Sequence, residues 1–488
     1  MQLTRMEKYK INHKILKIIS LCAFVAVAMA SCKIPALLPD KSIKPVPSAY
    51  NDSADSTNSA NIKWKDFFAD PNLVALIDTA INNNLEVLST LQDIEIAQNN
   101  VLIRKGMLLP NVSAGGGLGI EKTARFTSTG AGNASTNITE GRLVPEPLTD
   151  MSFGIKASWE ADVWKKLRTA KKAAYTKYLK SIEGRNFVVT NLVAEIANSY
   201  YELLALDNQL AIIKEAIQLQ QNELEVVKIQ KEAARATELA VKQFEAQVYN
   251  SQSLEFDIQQ QIIVIENRIN FLLARYPQKV TRDNKSTFST KIPTAINAGI
   301  PSQLLKNRPD IRQAELELQA SKLDVQVARL EFYPSVGITG YLGYQAFNPK
   351  YLFKPIESLA SSLIGDIAGP LINRSAIQAE FNKANAYQLQ ALYDYQRSIL
   401  NGYIEVYNEM SNIKNLEQLH QTKSKEAETL TISISIAKDL FKSARANYLE
   451  VLVVQRDALS AKLELIEVRK RQFNSVTNIY RALGGGWQ

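Results

Sequence analysis

Cys32 is the residue of this 488-residue chain whose surroundings most clearly invite chemistry. It closes the run Met29-Ala30-Ser31-Cys32, which looks like a bacterial lipobox, where a small residue precedes a cysteine that receives lipid. Basic residues up to Lys17 and an apolar run from Ile18 to Ala30 lie ahead of it. That run is too short for a stable membrane anchor, which needs about 20 residues. A charged start, a short apolar stretch and small residues at its end predict an export signal over residues 1–31. Cys22 follows bulky Leu21 and fits worse. Plain signal cleavage, with Cys32 as a bystander, is the alternative.

The remaining reactive groups form no catalytic constellation, so an enzyme is not expected. The sequence has no GxxxxGK(S/T) phosphate loop, no HExxH and no CxxC. Two cysteines exclude a disulfide scaffold and any thiolate cluster. His13 and His420 leave little material for a zinc or copper site, and no metal or other cofactor is expected. The six methionines are scattered, which argues against a methionine-lined copper path. The formal charge is +8, but residues 1–31 hold five basic residues and one acidic residue, and without them the excess is +4. Half of the basicity therefore belongs to targeting, and nucleic acid is not indicated.

These groups must be carried by two kinds of element. Residues 32–61 are rich in Pro, Ser, Asn and Asp and read as an anchor-bearing flexible linker. All sixteen prolines lie at or before Pro370, and none lies between Pro147 and Pro277. The two proline-free stretches are rich in good helix formers. Apolar residues recur in steps of three and four at Ile196, Tyr200, Leu203, Leu206, Leu210, Ile213 and Ile217, a coiled-coil-like seam. If each stretch is a hairpin of two helices, each helix has on the order of 50 to 60 residues and runs roughly 75 to 90 Å. A rod or tube is the expected shape. No later segment has 18 uninterrupted apolar residues, so no membrane-spanning helix is expected. Between the helical stretches, Pro110 to Ala157 and Pro334 to Ala368 alternate apolar with small or polar residues, as membrane β-strands do. Each segment supplies two strands. Four strands cannot close a membrane barrel, which needs about eight. A small soluble sheet is the alternative to a barrel shared between several copies.

The chain also repeats itself. Ala233 to Val241 (AARATELAV) pairs with Ser443 to Val451 (SARANYLEV), and Leu109-Pro110-Asn111-Val112 pairs with Tyr333-Pro334-Ser335-Val336. One unit of strands and helical hairpin is used twice. The run Gly299 to Glu315 (GIPSQLLKNRPDIRQAE) resembles the hallmark of the outer-membrane efflux protein family, in its lipid-anchored TolC-like branch of NodT or OprM type. Ser158-Trp159-Glu160-Ala161-Asp162, Phe332-Tyr333-Pro334-Ser335, Tyr448-Leu449-Glu450-Val451-Leu452 and the ending Tyr480 to Trp487 (YRALGGGW) resemble it too.

This resemblance implies a mixed, mainly α fold. Long helical hairpins form an α-barrel tunnel, and four strands per protomer join a trimeric twelve-stranded outer-membrane barrel. Residues 1–31 are the signal, 32–61 the anchor and linker, and 62–290 and 291–488 the two repeats. The implied function is the exit duct of a tripartite efflux system, exporting small toxic compounds from the periplasm. The implied partners are a periplasmic adaptor and an inner-membrane transporter, most often of the RND class. Two other readings remain open: a type I protein-secretion duct of the same fold, and a lipid-anchored scaffold without a pore. Ala234, Arg235 and Ala236, with Ala444, Arg445 and Ala446, match the family's periplasmic tips, which contact the adaptor. The family often has glycine where Ala234 and Ala444 stand. Leu449, Glu450 and Val453 match the narrowest point of the closed tunnel, although the family commonly has aspartate where Val453 stands. Arg308, Pro309 and Asp310 read as a helix start with a structural role.

Overall fold

In the computed structural model the described residues are 34–37, 39, 44–50, 57–282, 297–369, 374–443 and 445–488. The signal segment, Cys32 and Ala444 lie outside them. The named helices are α1 (Pro71–Asn83), α2 (Leu85–Gly106), α3 (Lys166–Glu232), α4 (Glu238–Leu272), α5 (Pro309–Leu330), α6 (Ser375–Lys442) and α7 (Tyr448–Ala482). The strands β1 (Asn111–Glu121) and β2 (Leu148–Ala161) stand between α2 and α3, and β3 (Ser335–Ala346) and β4 (Leu359–Ala368) between α5 and α6. The order is the same in both halves, and α4 and α7 each have 35 residues. The sequence helix, two strands, long helix, 35-residue helix thus occurs twice, and α1 precedes only the first copy.

The hairpin arms are unequal, which corrects the expectation of two helices of 50 to 60 residues. α3 and α6 have 67 and 68 residues, whereas α4 and α7 stop at 35. The stop after α4 is a left-handed residue, Ala274 (φ 53°), with the Arg275 N–H reaching back to the Asn270 carbonyl at 3.0 Å. The stop after α7 is the same device built on Gly484 (φ 93°), with the Gly485 N–H on the Tyr480 carbonyl at 3.0 Å. This closure satisfies carbonyls at the helix end and turns the chain away. The sequence pattern concealed the first stop because alanine, a good helix former, holds the position.

The chain divides into two compact units, each drawn from both repeats. Among the described residues, one comprises 34–37, 39, 100–174, 320–369 and 374–389, and the other 44–50, 57–99, 175–282, 297–319, 390–443 and 445–488. The first unit holds an antiparallel four-stranded sheet in the order β1-β2-β3-β4. Its register places Val112 opposite Ala157, Ile155 opposite Leu342, and Gly340 opposite Leu363. One face therefore carries Val112, Leu118, Ile120, Phe153, Ile155, Leu342, Leu363 and Ile367, all exposed. The opposite face carries Ser113, Ser152, Lys156, Thr339, Gln345 and Asp366. There Gly115, Gly154 and Gly343 stand in one row, and the Tyr341 ring lies across it. A Cβ on Gly154 would come within 2.7 Å of the Gly343 Cα. The side-chain period of two along a strand produces this division into faces.

The second unit contains the larger cores, and a smaller one around Val325, Phe332 and Phe381 lies in the first. α1, α3, α4 and α7 meet around Leu73, Ile77, Ile196, Tyr200, Leu203, Ile269 and Tyr480. Asp70 caps α1 at the Asn72 N–H (2.8 Å) and accepts from the Tyr200 hydroxyl at 2.7 Å. Burial, reinforced by that carboxylate, holds the Tyr200 pKa well above its ordinary value. Part of the segment read as linker is built into this unit. Asn58, Ser59 and Ala60 are buried, and Asn58 pairs with Ala298 in an isolated bridge. Polar composition suggested a solvated chain, yet these polar groups are satisfied by Asn297 and Gln303.

Candidate functional site

Both predicted tips are helix-to-helix turns with one design. After α3, Ala234 takes φ 53° and the Arg235 N–H donates to the Gln230 carbonyl at 2.8 Å. The left-handed geometry that glycine favours is therefore present on alanine. After α6, the Arg445 N–H donates to the Leu440 carbonyl at 2.9 Å, the same five-residue closure. The next helix is capped by Thr237 on the Ala240 N–H at 3.2 Å and by Asn447 on the Glu450 N–H at 3.0 Å. Arg235 and Arg445 are exposed, and Ala236 and Ala446 half-buried. Lys231 and Glu238 form an ion pair across the first turn.

The first turns of α7 have two apolar sides. Leu452 packs with Leu224, Val227, Val241, Phe244 and Val248 of the first hairpin. Leu449 and Val453, four residues apart, point elsewhere and are 50% and 36% exposed. They line an open groove of about 450 Å³ with Glu450, Ile436, Ala437 and Leu440. The matching positions of the first hairpin, 210 residues earlier, are Leu239, Gln243, Val226 and Gln230. Glutamine thus replaces Val453 and Leu440, and the apolar groove belongs to the second hairpin. Sequence reading missed Glu223 nearby. This half-buried carboxylate on α3 takes Lys438 of α6 at 2.6 Å and the Gln455 amide of α7. It ties the two hairpins together, and nothing in the spacing of three such distant residues signals that contact.

Arg308 is the centre of a buried junction. Its guanidinium makes two bonds to Asp310 (2.6 and 3.0 Å), one to Glu405 of α6 (2.7 Å), and one to the Ala482 carbonyl at the end of α7 (2.8 Å). Burial by itself would lower its pKa, but the bonds and charges of Asp310 and Glu405 outweigh that and hold it above the ordinary value. Pro309 occupies the first helical position of α5, and Arg308 is extended before it, as the motif predicted. Gly402, the glycine inside α6, makes room for this side chain, since a Cβ there would sit 3.1 Å from the Arg308 Nε. The Trp487 indole donates to the Gly484 carbonyl at 2.9 Å and approaches that of Asn307 at 3.3 Å. The terminal motif and the Arg308 motif therefore meet.

His420 is half-buried beside Arg469, and burial first, then that charge, lowers its pKa. Among the described residues, no group of three or more His, Cys, Asp or Glu side chains could hold a metal ion. No described helix is long and apolar enough to cross a membrane.

A sequence model described as "Outer membrane efflux protein" matches residues 76–275 and 300–485. The chain is 27% identical to the cation efflux system protein CusC of Escherichia coli O6:H1 over 485 residues, covering 97% of this chain and 99% of that one. It is 27% identical to the pyoverdine export outer membrane protein OpmQ of Pseudomonas aeruginosa over 430 residues, 87% of each chain. Its fold is similar to that of the outer membrane channel MtrE of Neisseria gonorrhoeae, solved in an open state. The TM-score is 0.79 at 21% identity, over 94% of this chain and 99% of that one.

Proposed function

This chain belongs to the outer membrane efflux protein family, and on that premise we propose that three copies form the exit duct of a tripartite efflux system. The duct passes small toxic compounds from periplasm to exterior, in company with a periplasmic adaptor and an inner-membrane transporter of RND type. The observation that carries this reading is the sheet. It has one face that is apolar apart from Thr149 and Ser361 and, among the described residues, no strand beyond β1 or β4. In lipid such open edges would leave backbone groups unpaired, whereas three copies close a twelve-stranded barrel with no edge. A scaffold without a pore has no use for this sheet. A type I secretion duct of the same fold would use it, and transport assays with a gene-deleted strain separate that reading from drug export. The direct test is single-channel conductance in planar bilayers together with native mass. Discrete conductance from a particle of three chains supports the duct, and a non-conducting monomer refutes it.

Within that reading, lipid on Cys32 tethers the chain to the membrane. The intact mass of the N-terminal peptide should exceed the bare peptide mass and return to it in Cys32→Ala. Ala234, Arg235 and Ala236, with Ala444, Arg445 and Ala446, are assigned to the adaptor. Exposed arginines at two matching turns suit an adaptor of complementary charge. Reversal in Arg235→Glu or Arg445→Glu should weaken adaptor binding by roughly tenfold, about 1.4 kcal/mol, while trimer mass is unchanged. Unchanged adaptor affinity in both variants sinks the assignment. Leu449, Val453 and Glu450 are assigned to the constriction, where threefold symmetry turns each residue into a ring.

A further inference from the structure

We infer that the helix-side rim of the sheet, where α2 enters β1 and β2 leaves for α3, binds the headgroups of anionic phospholipids. The inference rests on the outer-membrane reading and adds which leaflet chemistry this chain prefers. At this rim, Leu102, Ile103, Met107 and Leu109 are exposed on one crossing, and Val163 and Trp164 on the other. Apolar groups at the end of an apolar sheet face are expected where lipid begins to give way to water, and tryptophan favours that boundary. Both nearby indoles are oriented by backbone: Trp159 donates to the Leu108 carbonyl at 3.0 Å and Trp164 to the Pro334 carbonyl at 2.7 Å.

Charge then selects the headgroup. Residues 100–110 and 162–174 hold seven basic residues and one acidic residue. The loop at the opposite end of the same two strands, 122–147, holds three basic and two acidic. The basic excess is thus larger on the helix side, +6 against +1. Not all of it is available. Lys166 is engaged by Glu160 at 2.8 Å and Glu331 at 3.6 Å. The acidic residue, Asp162, is occupied in turn, accepting from the Leu167 and Arg168 N–H groups at 2.9 and 3.0 Å. Arg104, Lys105 and Lys165 remain exposed beside the apolar groups, and Arg168 is exposed as well, with its Nε 3.7 Å from the Asp162 carboxylate. Lys165 is held at φ 62°, a conformation that costs a non-glycine residue energy and sets where its side chain leaves the turn.

The test uses the purified trimer in vesicles of dioleoyl phosphatidylcholine and dioleoyl phosphatidylglycerol at equal fractions, with one of the two lipids brominated. Tryptophan quenching then reports which lipid lies against Trp159 and Trp164. Each basic residue near an anionic surface contributes about fivefold in affinity. Brominated phosphatidylglycerol should therefore quench clearly more than brominated phosphatidylcholine. The quadruple variant R104E/K105E/K165E/R168E should lose that preference by at least about tenfold. If the quadruple variant fails to assemble, Lys165→Gln with Arg168→Gln should reduce the preference in part. Equal quenching by the two lipids in the wild type, or a preference undiminished in an assembled variant, overturns the inference. Channel conductance in the same vesicles keeps the readings apart: a conducting trimer without lipid preference refutes the headgroup site alone.

Discussion

Arg308→Ala is expected to give the largest loss of stability of any single substitution in this chain outside the apolar cores. The guanidinium joins three elements, the start of α5, Glu405 of α6 and the carbonyl end of α7, through four bonds. Removing one partner of a fully buried ion pair costs about 3–5 kcal/mol, and removing the donor from a buried carbonyl about 1–3. Glu405 is 41% exposed and regains water, which discounts the first figure. About 2–4 kcal/mol is the net expectation, read as earlier thermal dissociation and unfolding of the purified trimer. Arg308→Lys should rescue little, because one ammonium cannot reproduce the two-bond grip on Asp310 and reach Ala482 as well. Gly402→Ala should be milder but of the same sign, since its methyl group presses on the guanidinium. A melting profile unchanged in Arg308→Ala, or full rescue by lysine, would falsify the junction as the main lock of these helices.

Replacing Leu449 and Val453 together by serine is expected to open the resting channel. In the single chain the two side chains line an exposed apolar groove with Ile436 and Leu440. Three copies would bring three such grooves around one axis, and rings of leucine and valine exclude water from a narrow passage. A barrier lowered by only about 1.4 kcal/mol raises passage about tenfold, so resting conductance and leak of large antibiotics should rise by that order. Glu450→Gln should reduce cation preference with less effect on leak. Glu223→Gln is an informative companion, because it weakens the tie to Lys438 and Gln455 without touching the groove. A double serine variant that stays trimeric and as closed as wild type places the constriction elsewhere.

What the sequence by itself determined is what local physics encodes. The absence of proline and the apolar seam specified long helices, alternation specified the four strands, and the repeated segments specified two matching helix-to-helix turns. Arg308-Pro309-Asp310 was legible as a helix start because proline's fixed φ and an early acidic residue act within one turn. The resemblance supplied the family, and with it the trimer. What only the tertiary structure decided depends on residues far apart in the chain. The Arg308 junction needs Glu405 and Ala482, and its glycine at 402 has no meaning until the arginine lies against it. Glu223 meets Lys438 and Gln455 only because two hairpins are packed. The early end of α4 escaped the pattern because alanine accepts a left-handed conformation when the surrounding helix-end bonds hold it there. Burial of Asn58 to Ala60 escaped it because polar residues look solvated until their partners, Asn297 and Gln303, are in place. Short-range preferences are additive along a chain and can be read from it, whereas a contact between distant segments depends on every element that brings them together.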